Sequence, residues 1–272
     1  MNEVVIVEAI RTPIGAYKGS LKALSADKLG SIVIREILRK SKLDKDDIDE
    51  IIMGQVLTAG SGQNPARQAA INAGIHFSKP AHIVNQVCGS GLRAVISGYQ
   101  SIKLGEVKNV ISGGQENMSL APHSIFYRDS KKILEEHLID TMINDGLIDA
   151  FNNYHMGVTA ENVAKKFNIS RVEQDDFALN SQKKTETAIN TNRFKEELIK
   201  INQSGINLEK DEHPRKDLNK SDLGKLKAVF LKDGTVTPGN SSGINDGAAA
   251  LLLTTFEEAK KRSIQPLVKI IS

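Results

Sequence analysis

The residue with the clearest chemical potential is Cys88, the only cysteine in the chain, set in Val87-Cys88-Gly89-Ser90-Gly91. The segment Ala81 to Val87 before it reads as a strand, and Leu92 to Lys103 after it reads as a helix. A thiol at such a junction projects from a sharp turn, where glycine-flanked backbone N–H groups can point at a substrate oxygen. The positive end of the helix dipole favours the thiolate, which is the attacking species. The expected chemistry is therefore nucleophilic attack with an adjacent oxyanion site. Taken alone, a single cysteine is more often inert core. Gly89 and Gly91 argue against that, since glycines in the first turns of a helix cost stability unless something must approach closely.

The elements that must hold this turn have the signature of an α/β protein. Val4 to Val7 and Ile51 to Met53 read as short buried strands, and Asp27 to Lys40 as a helix with an apolar stripe at Leu29, Ile32, Val33, Ile37 and Leu38. Pro65 to Ala73 reads as a helix and Val107 to Ser112 as a strand, an alternation that implies a largely parallel sheet. From about Met118 to Gly243 charged and amide residues dominate, with helices over Thr159 to Lys166 and Arg171 to Ile189, as in an insertion. Asp246 to Leu253 reads as a central strand, Glu257 to Arg262 as a short helix, and Pro266 to Ile271 as an opening strand.

Composition narrows the function classes. The charge balance is 36 basic against 33 acidic residues, and aromatics make up 4% with no tryptophan, so stacking on nucleic acid has little support. One cysteine builds neither an intramolecular disulfide nor a thiolate metal site. With no signal-peptide pattern and no apolar run of membrane-spanning length, the expected location is cytoplasmic, with no membrane partner.

The window Val84-Asn85-Gln86-Val87-Cys88-Gly89-Ser90-Gly91-Leu92-Arg93-Ala94 resembles the nucleophile motif of the thiolase family, in its biosynthetic form. The resemblance continues through Arg11 to Gly15, Gly113 to Ser119, Asp145 to Leu147, Tyr154 to Gly157, Thr159 to Asn162 and Gly239 to Ala248, in order. It implies a thiolase-like N-terminal domain, a mixed five-stranded sheet with helices on both faces. That domain is expected over 1–118 and 244–262, with an α-rich loop domain over 119–243 for CoA binding and oligomer contacts. Residues 263–272 are expected to begin a C-terminal domain that is otherwise absent.

The activity implied by the resemblance is that of an acetyl-CoA C-acetyltransferase. Two acetyl-CoA molecules condense to acetoacetyl-CoA and CoA, or the reverse thiolysis occurs, through S-acetyl Cys88. Acetyl-CoA, acetoacetyl-CoA and CoA are the implied partners, with no separate cofactor and no metal. A homodimer or homotetramer is implied for the complete enzyme. In the family the activating histidine lies in a Gly-His-Pro motif, the second acid/base is another cysteine, and an asparagine orders a water; all lie in the C-terminal half. None of the six histidines matches: His213 precedes Pro214 but follows Glu212 in a charged loop and reads as a surface residue. Asn162 belongs to the pantetheine-side motif instead. The chain alone is therefore expected to be inactive; a non-catalytic CoA-binding or oligomerisation module is the alternative. Ketoacyl and hydroxymethylglutaryl synthases share the plan but not these motif forms.

By the same resemblance Ser242 meets the pantetheine arm, His155 and Met156 flank the acyl and pantetheine pocket, and Leu147 lines the CoA tunnel. Arg215 aligns with a basic residue at the nucleotide end of CoA, although its local sequence equally suits a solvated charge. Asp222 departs from the family, which has a small hydroxyl residue near the adenine. The loop Phe126 to Leu138, with Lys131, Lys132, Glu135 and Glu136, falls where family members make tetramer contacts, or is a solvent-exposed helix.

Overall fold

A computed structural model describes residues 3–41, 43–128, 137–203 and 205–271. In chain order its elements are β1 (Val4–Arg11), β2 (Gly15–Ala16), α1 (Ala26–Ser41), β3 (Glu50–Gly54), α2 (Pro65–Asn72), β4 (Ala81–Val84), α3 (Ser90–Leu104) and β5 (Asn109–Asn117). There follow β6 (His123–Ser124), β7 (Ile139–Asp140), α4 (Thr141–Gly146), α5 (Met156–Phe167) and α6 (Arg171–Asn190). The last are β8 (Ile201–Gln203), β9 (Ile206–Leu208), α7 (Lys220–Gly224), β10 (Asn245–Thr255), α8 (Phe256–Lys261) and β11 (Val268–Lys269). None of the helices, among the described residues, is long and apolar enough to cross a membrane.

The chain divides into two compact units, the first comprising 1–122, 196–210 and 245–272. Its sheet runs β11-β1-β10-β5-β3-β4, with β2 beside β10. Five longer strands form the expected mixed sheet, and the two-residue strands β2 and β11 bring the total to seven. Helices cover both faces. On β3, Ile51 and Met53 join the core under α1 and α2, while Ile52 joins the core under α3; on β10, Leu252 and Leu253 divide in the same way. Successive side chains of a strand point to opposite faces, so a strand with both neighbours apolar reads as an unbroken apolar run.

That burial misleads about direction. The alternation suggested a largely parallel sheet, yet β10 is antiparallel to both β1 and β5, and only β3 pairs in parallel, with β4 and β5. Helices on both faces of β10 make it uniformly apolar whichever way it runs. The third strand also ends at Val84 rather than Val87, and β5 begins at Asn109 and extends to Asn117.

Segment 196–210, expected within the insertion, packs with the sheet unit instead. Leu198 bridges Arg11, and Ile199, Ile201 and Leu208 enter the main core, three apolar residues hidden in a charged stretch. The tail expected to open another domain contributes β11 to this sheet through Val5–Lys269 and Ile6–Val268 pairs.

The second unit comprises 123–195 and 211–244. α6 opens on a capping box between Ser170 and Glu173. Arg171 pairs with Asp175 at 2.7 Å and also donates to the carbonyls of Leu223 and Leu226. The buried Glu161 of α5 accepts from Thr235 N (2.7 Å), Thr235 Oγ1 (2.8 Å) and Val236 N (2.8 Å). Burial pushes this carboxyl up, but the three donors outweigh it and hold it below the usual range. Of the loop Phe126 to Leu138, residues 129–136, with Lys131, Lys132, Glu135 and Glu136, lie outside the described residues.

Candidate active site

Cys88 sits between β4 and α3 and is exposed, so it is not core filling. The turn that carries it is dense with hydrogen bonds. Gly89 N donates to Gln86 O (3.0 Å), Gln86 N to Ser90 Oγ (2.9 Å), and Ser90 Oγ to Val87 O (2.6 Å). Val87 N donates to Asn85 Oδ1 at 3.0 Å. These bonds hold Val87 at φ +47°, a left-handed conformation that costs a β-branched residue about 1–3 kcal/mol. The Arg93 N to Gly89 O bond then begins α3 immediately after the cysteine.

Cys88 lines a cavity of about 350 Å³. Its walls are Val87 in the turn, Ser90 and Gly91 at the start of α3, Gly54 at the end of β3 with Gln55 and Val56 after it, Gly114 to Glu116 on β5, Asn245 to Ala249 on β10, and Arg11 at the end of β1 with Ile14 after it. Gly54 permits the close approach of β3 to α3: a Cβ there would meet Gly91 N at 2.5 Å and Ser90 O at 2.7 Å. Glu116 is half-buried, and desolvation raises its carboxyl above the usual range although Val56 N (2.8 Å) and Leu57 N (3.2 Å) donate to it.

The other residues singled out in the sequence lie in the second unit, and three of them cluster. Leu147 follows α4, and its carbonyl accepts from Met156 N at 2.8 Å. His155 caps α5, its Nδ1 accepting from Gly157 N at 3.0 Å, while its ring stacks on Phe230 with centroids 4.7 Å apart. Met156 is exposed. Ser242 and Arg215 stand apart from that cluster in the chain. Ser242 is exposed in a loop, and Arg215 is exposed with Nη2 donating to Pro238 O at 3.3 Å. The carboxylate of Asp222 is engaged by Asn219 (2.5 Å) and Lys225 (3.5 Å). His213, read as a surface residue, is half-buried. Asn162 contacts Tyr154 Oη at 3.4 Å.

Gly54, Gln55, Val56 and Glu116 beside Cys88 were not singled out individually from the sequence. Glu116 lay inside a recognised motif without a role. Gly54 had one available signal, a glycine directly after the apolar run Ile51-Ile52-Met53.

A cysteine exposed at the start of a helix, beside a cavity walled by a mixed α/β sheet, has a geometry suited to nucleophilic attack on a bound substrate. The chain belongs to the thiolase family: the family model described as thiolase, N-terminal domain, matches residues 4–257. It is 48% identical over 273 residues to the acetyl-CoA acetyltransferase of Rhizobium meliloti (strain 1021), covering 99% of this chain and 70% of the relative. The cytosolic acetyl-CoA acetyltransferase of Mus musculus is 47% identical over 277 residues, covering 100% and 70% of the two chains. The crystal structure of the Bacillus anthracis acetyl-CoA acetyltransferase superposes with a TM-score of 0.95 at 35% identity, over 100% of this chain and 70% of that one.

Proposed function

We propose that this chain supplies the acylating part of an acetyl-CoA C-acetyltransferase, with Cys88 as the acyl acceptor. The observation that carries the reading is an exposed cysteine at the start of α3 lining a cavity of about 350 Å³. The Cys88 thiolate attacks the thioester carbonyl of acetyl-CoA, the tetrahedral oxyanion is stabilised by backbone N–H groups at the helix start, and the CoA thiolate leaves. A second acetyl-CoA then loses an α-proton to a base. Its enolate carbon attacks the S-acetyl carbonyl, which releases acetoacetyl-CoA and regenerates the Cys88 thiolate.

The second half of that cycle needs an additional acid/base, and the chain has only one cysteine and no Gly-His-Pro motif. Condensation is accordingly assigned to residues that this chain does not contain, and acylation to Cys88. Leu147, His155, Met156, Ser242 and Arg215 are assigned to the pantetheine arm and nucleotide of CoA. The complete assembly is a homodimer or homotetramer, and no cofactor beyond the CoA thioesters takes part.

Intact-protein mass spectrometry after exposure to acetyl-CoA tests this. One acetyl group per chain is expected, absent in Cys88→Ala, and acetoacetyl-CoA is expected only when the C-terminal segment of a relative is added. No adduct in either mixture, or an adduct that persists in Cys88→Ala, overturns the assignment.

A further inference from the structure

The cavity that Cys88 lines also contains a carboxylate, Glu116, that the acylation chemistry does not use. Burial of a carboxylate is costly, and Glu116 makes up for it only in part through two main-chain donors, Val56 N and Leu57 N. Those donors belong to the segment that faces the cysteine turn. The Val56 carbonyl accepts from Asn85 Nδ2 at 3.5 Å, and Asn85 Oδ1 accepts from Val87 N at 3.0 Å. A continuous path of hydrogen bonds thus runs from the buried carboxylate to the strained residue next to Cys88.

The same segment is gripped a second time. Gln115 Nε2 donates to Gln55 Oε1, and Gln55 Nε2 donates to the Leu57 carbonyl, both at 2.9 Å. The main chain of Val56 and Leu57 is therefore held at both N–H groups by Glu116 and at the two carbonyls by Asn85 and Gln55. The other charged groups lining the cavity are committed elsewhere: Arg11 to Glu197 at 2.7 Å, and Asp246 to the Ser119 hydroxyl at 2.6 Å.

We propose that Glu116 is a positioning residue for Cys88, holding the left-handed turn at Val87 through the main chain of Val56 and the side chain of Asn85. The inference rests on Cys88 being the nucleophile. A left-handed valine persists only where its surroundings over-determine it, and this path supplies the constraint from outside the turn. Loosening it lets Val87 relax, which moves the thiol from its place at the start of α3.

The single cysteine makes the test clean, because every alkyl adduct reports on one site. The pH–rate profile of iodoacetamide alkylation is measured for the parent, Glu116→Gln, Asn85→Ala and the double variant, with thermal unfolding alongside. Glutamine presents one acceptor and one donor to two N–H groups, so it breaks the grip while removing the buried charge. Each single variant is expected to react about tenfold more slowly across the whole profile. Glu116→Gln is expected to keep its melting temperature, which separates positioning from general support of the fold. Both substitutions cut one path, so the double variant is expected to be no slower than the slower single variant. A parent-like profile in Glu116→Gln, or additive losses in the double variant, overturns the proposal. A parent that alkylates normally but takes no acetyl from acetyl-CoA refutes the acylation reading alone.

Discussion

Substituting Gly54 by alanine probes the packing that seats Cys88. An ideal Cβ at this position lies 2.5 Å from Gly91 N, 2.5 Å from the Ser90 carbonyl carbon and 2.7 Å from Ser90 O. Ordinary carbon contacts are about 3.5–4.0 Å, so β3 and α3 must separate by about 1 Å. All three atoms are backbone of the first turn of α3, and no rotamer change relieves them. Overpacking of this kind costs about 1–3 kcal/mol. A misplacement of about 1 Å at a reacting group costs on the order of 10²-fold in rate. Gly105→Ala is the matched comparison: it closes α3 at φ +80° with nothing within 4 Å, so alanine there costs about 1–2 kcal/mol of backbone strain and leaves the N-terminus of α3 in place. Urea unfolding followed by circular dichroism, with acetylation and alkylation of Cys88 followed by intact mass, should therefore give similar stability losses for the two variants. Only Gly54→Ala should lose Cys88 reactivity. A folded Gly54→Ala that reacts within about twofold of the parent would refute the link between β3–α3 packing and cysteine reactivity.

Two further predictions concern stability. In the second unit, Glu161→Ala leaves three donors from Thr235 and Val236 without their acceptor and should cost about 2–4 kcal/mol in denaturant unfolding; a loss under about 1 kcal/mol would mean that water replaces the carboxylate. In the first unit, Arg262 grips Asp47 with two bonds of 2.7 Å and Glu258 with one of 2.5 Å, so Arg262→Ala should cost about 1 kcal/mol at neutral pH. The Arg262 side-chain bond holds the Asp47 carboxyl below its usual range. A carboxyl depressed by folding contributes its full stability above about pH 4 and loses it as pH falls through the depressed value. The parent–variant difference should therefore narrow on acidification below about pH 4, and a difference that stays constant down to pH 2 would exclude this pair as its source.

Much of the architecture was legible because burial leaves a periodic trace. The stripe Leu29, Val33 and Ile37 marks α1, whose buried face carries those residues. The helices read over Arg171 to Ile189 and Leu92 to Lys103 end within two residues of α6 and α3, whose ends the structure closes with the Ser170–Glu173 capping box and with Gly105 at φ +80°. Strand direction was not legible. The apolar run of β10 reports burial by helices on both faces, and its antiparallel pairing with β5, from Asp246–Asn117 to Thr254–Asn109, depends on where a long insertion returns the chain. Segment 196–210 was missed for a related reason, since its apolar residues, Leu198, Ile199, Ile201, Ile206 and Leu208, are interrupted by 202–205 and set no continuous period.

For the candidate site the division follows sequence separation. Cys88 with its glycine neighbours and the ordered family motifs could be read directly, because a reactive turn at a strand–helix junction is a local object specified by adjacent residues. What surrounds Cys88 is not local. Glu116 reaches Val56 across 60 positions and Asn85 reaches Val56 across 29, while Gly54 meets Ser90 and Gly91 only because β3 passes beneath the start of α3. Those contacts exist through the register of β3 between β4 and β5, and a register shift of one residue would turn the side chains of β3 to the other face and move Gly54 and Val56 out of these contacts. The sequence by itself determined that a cysteine is presented at a helix start in a thiolase-type chain. Only the tertiary structure decided which buried groups hold that cysteine in place, because hydrogen bonds between distant residues are set by strand pairing and not by any local pattern.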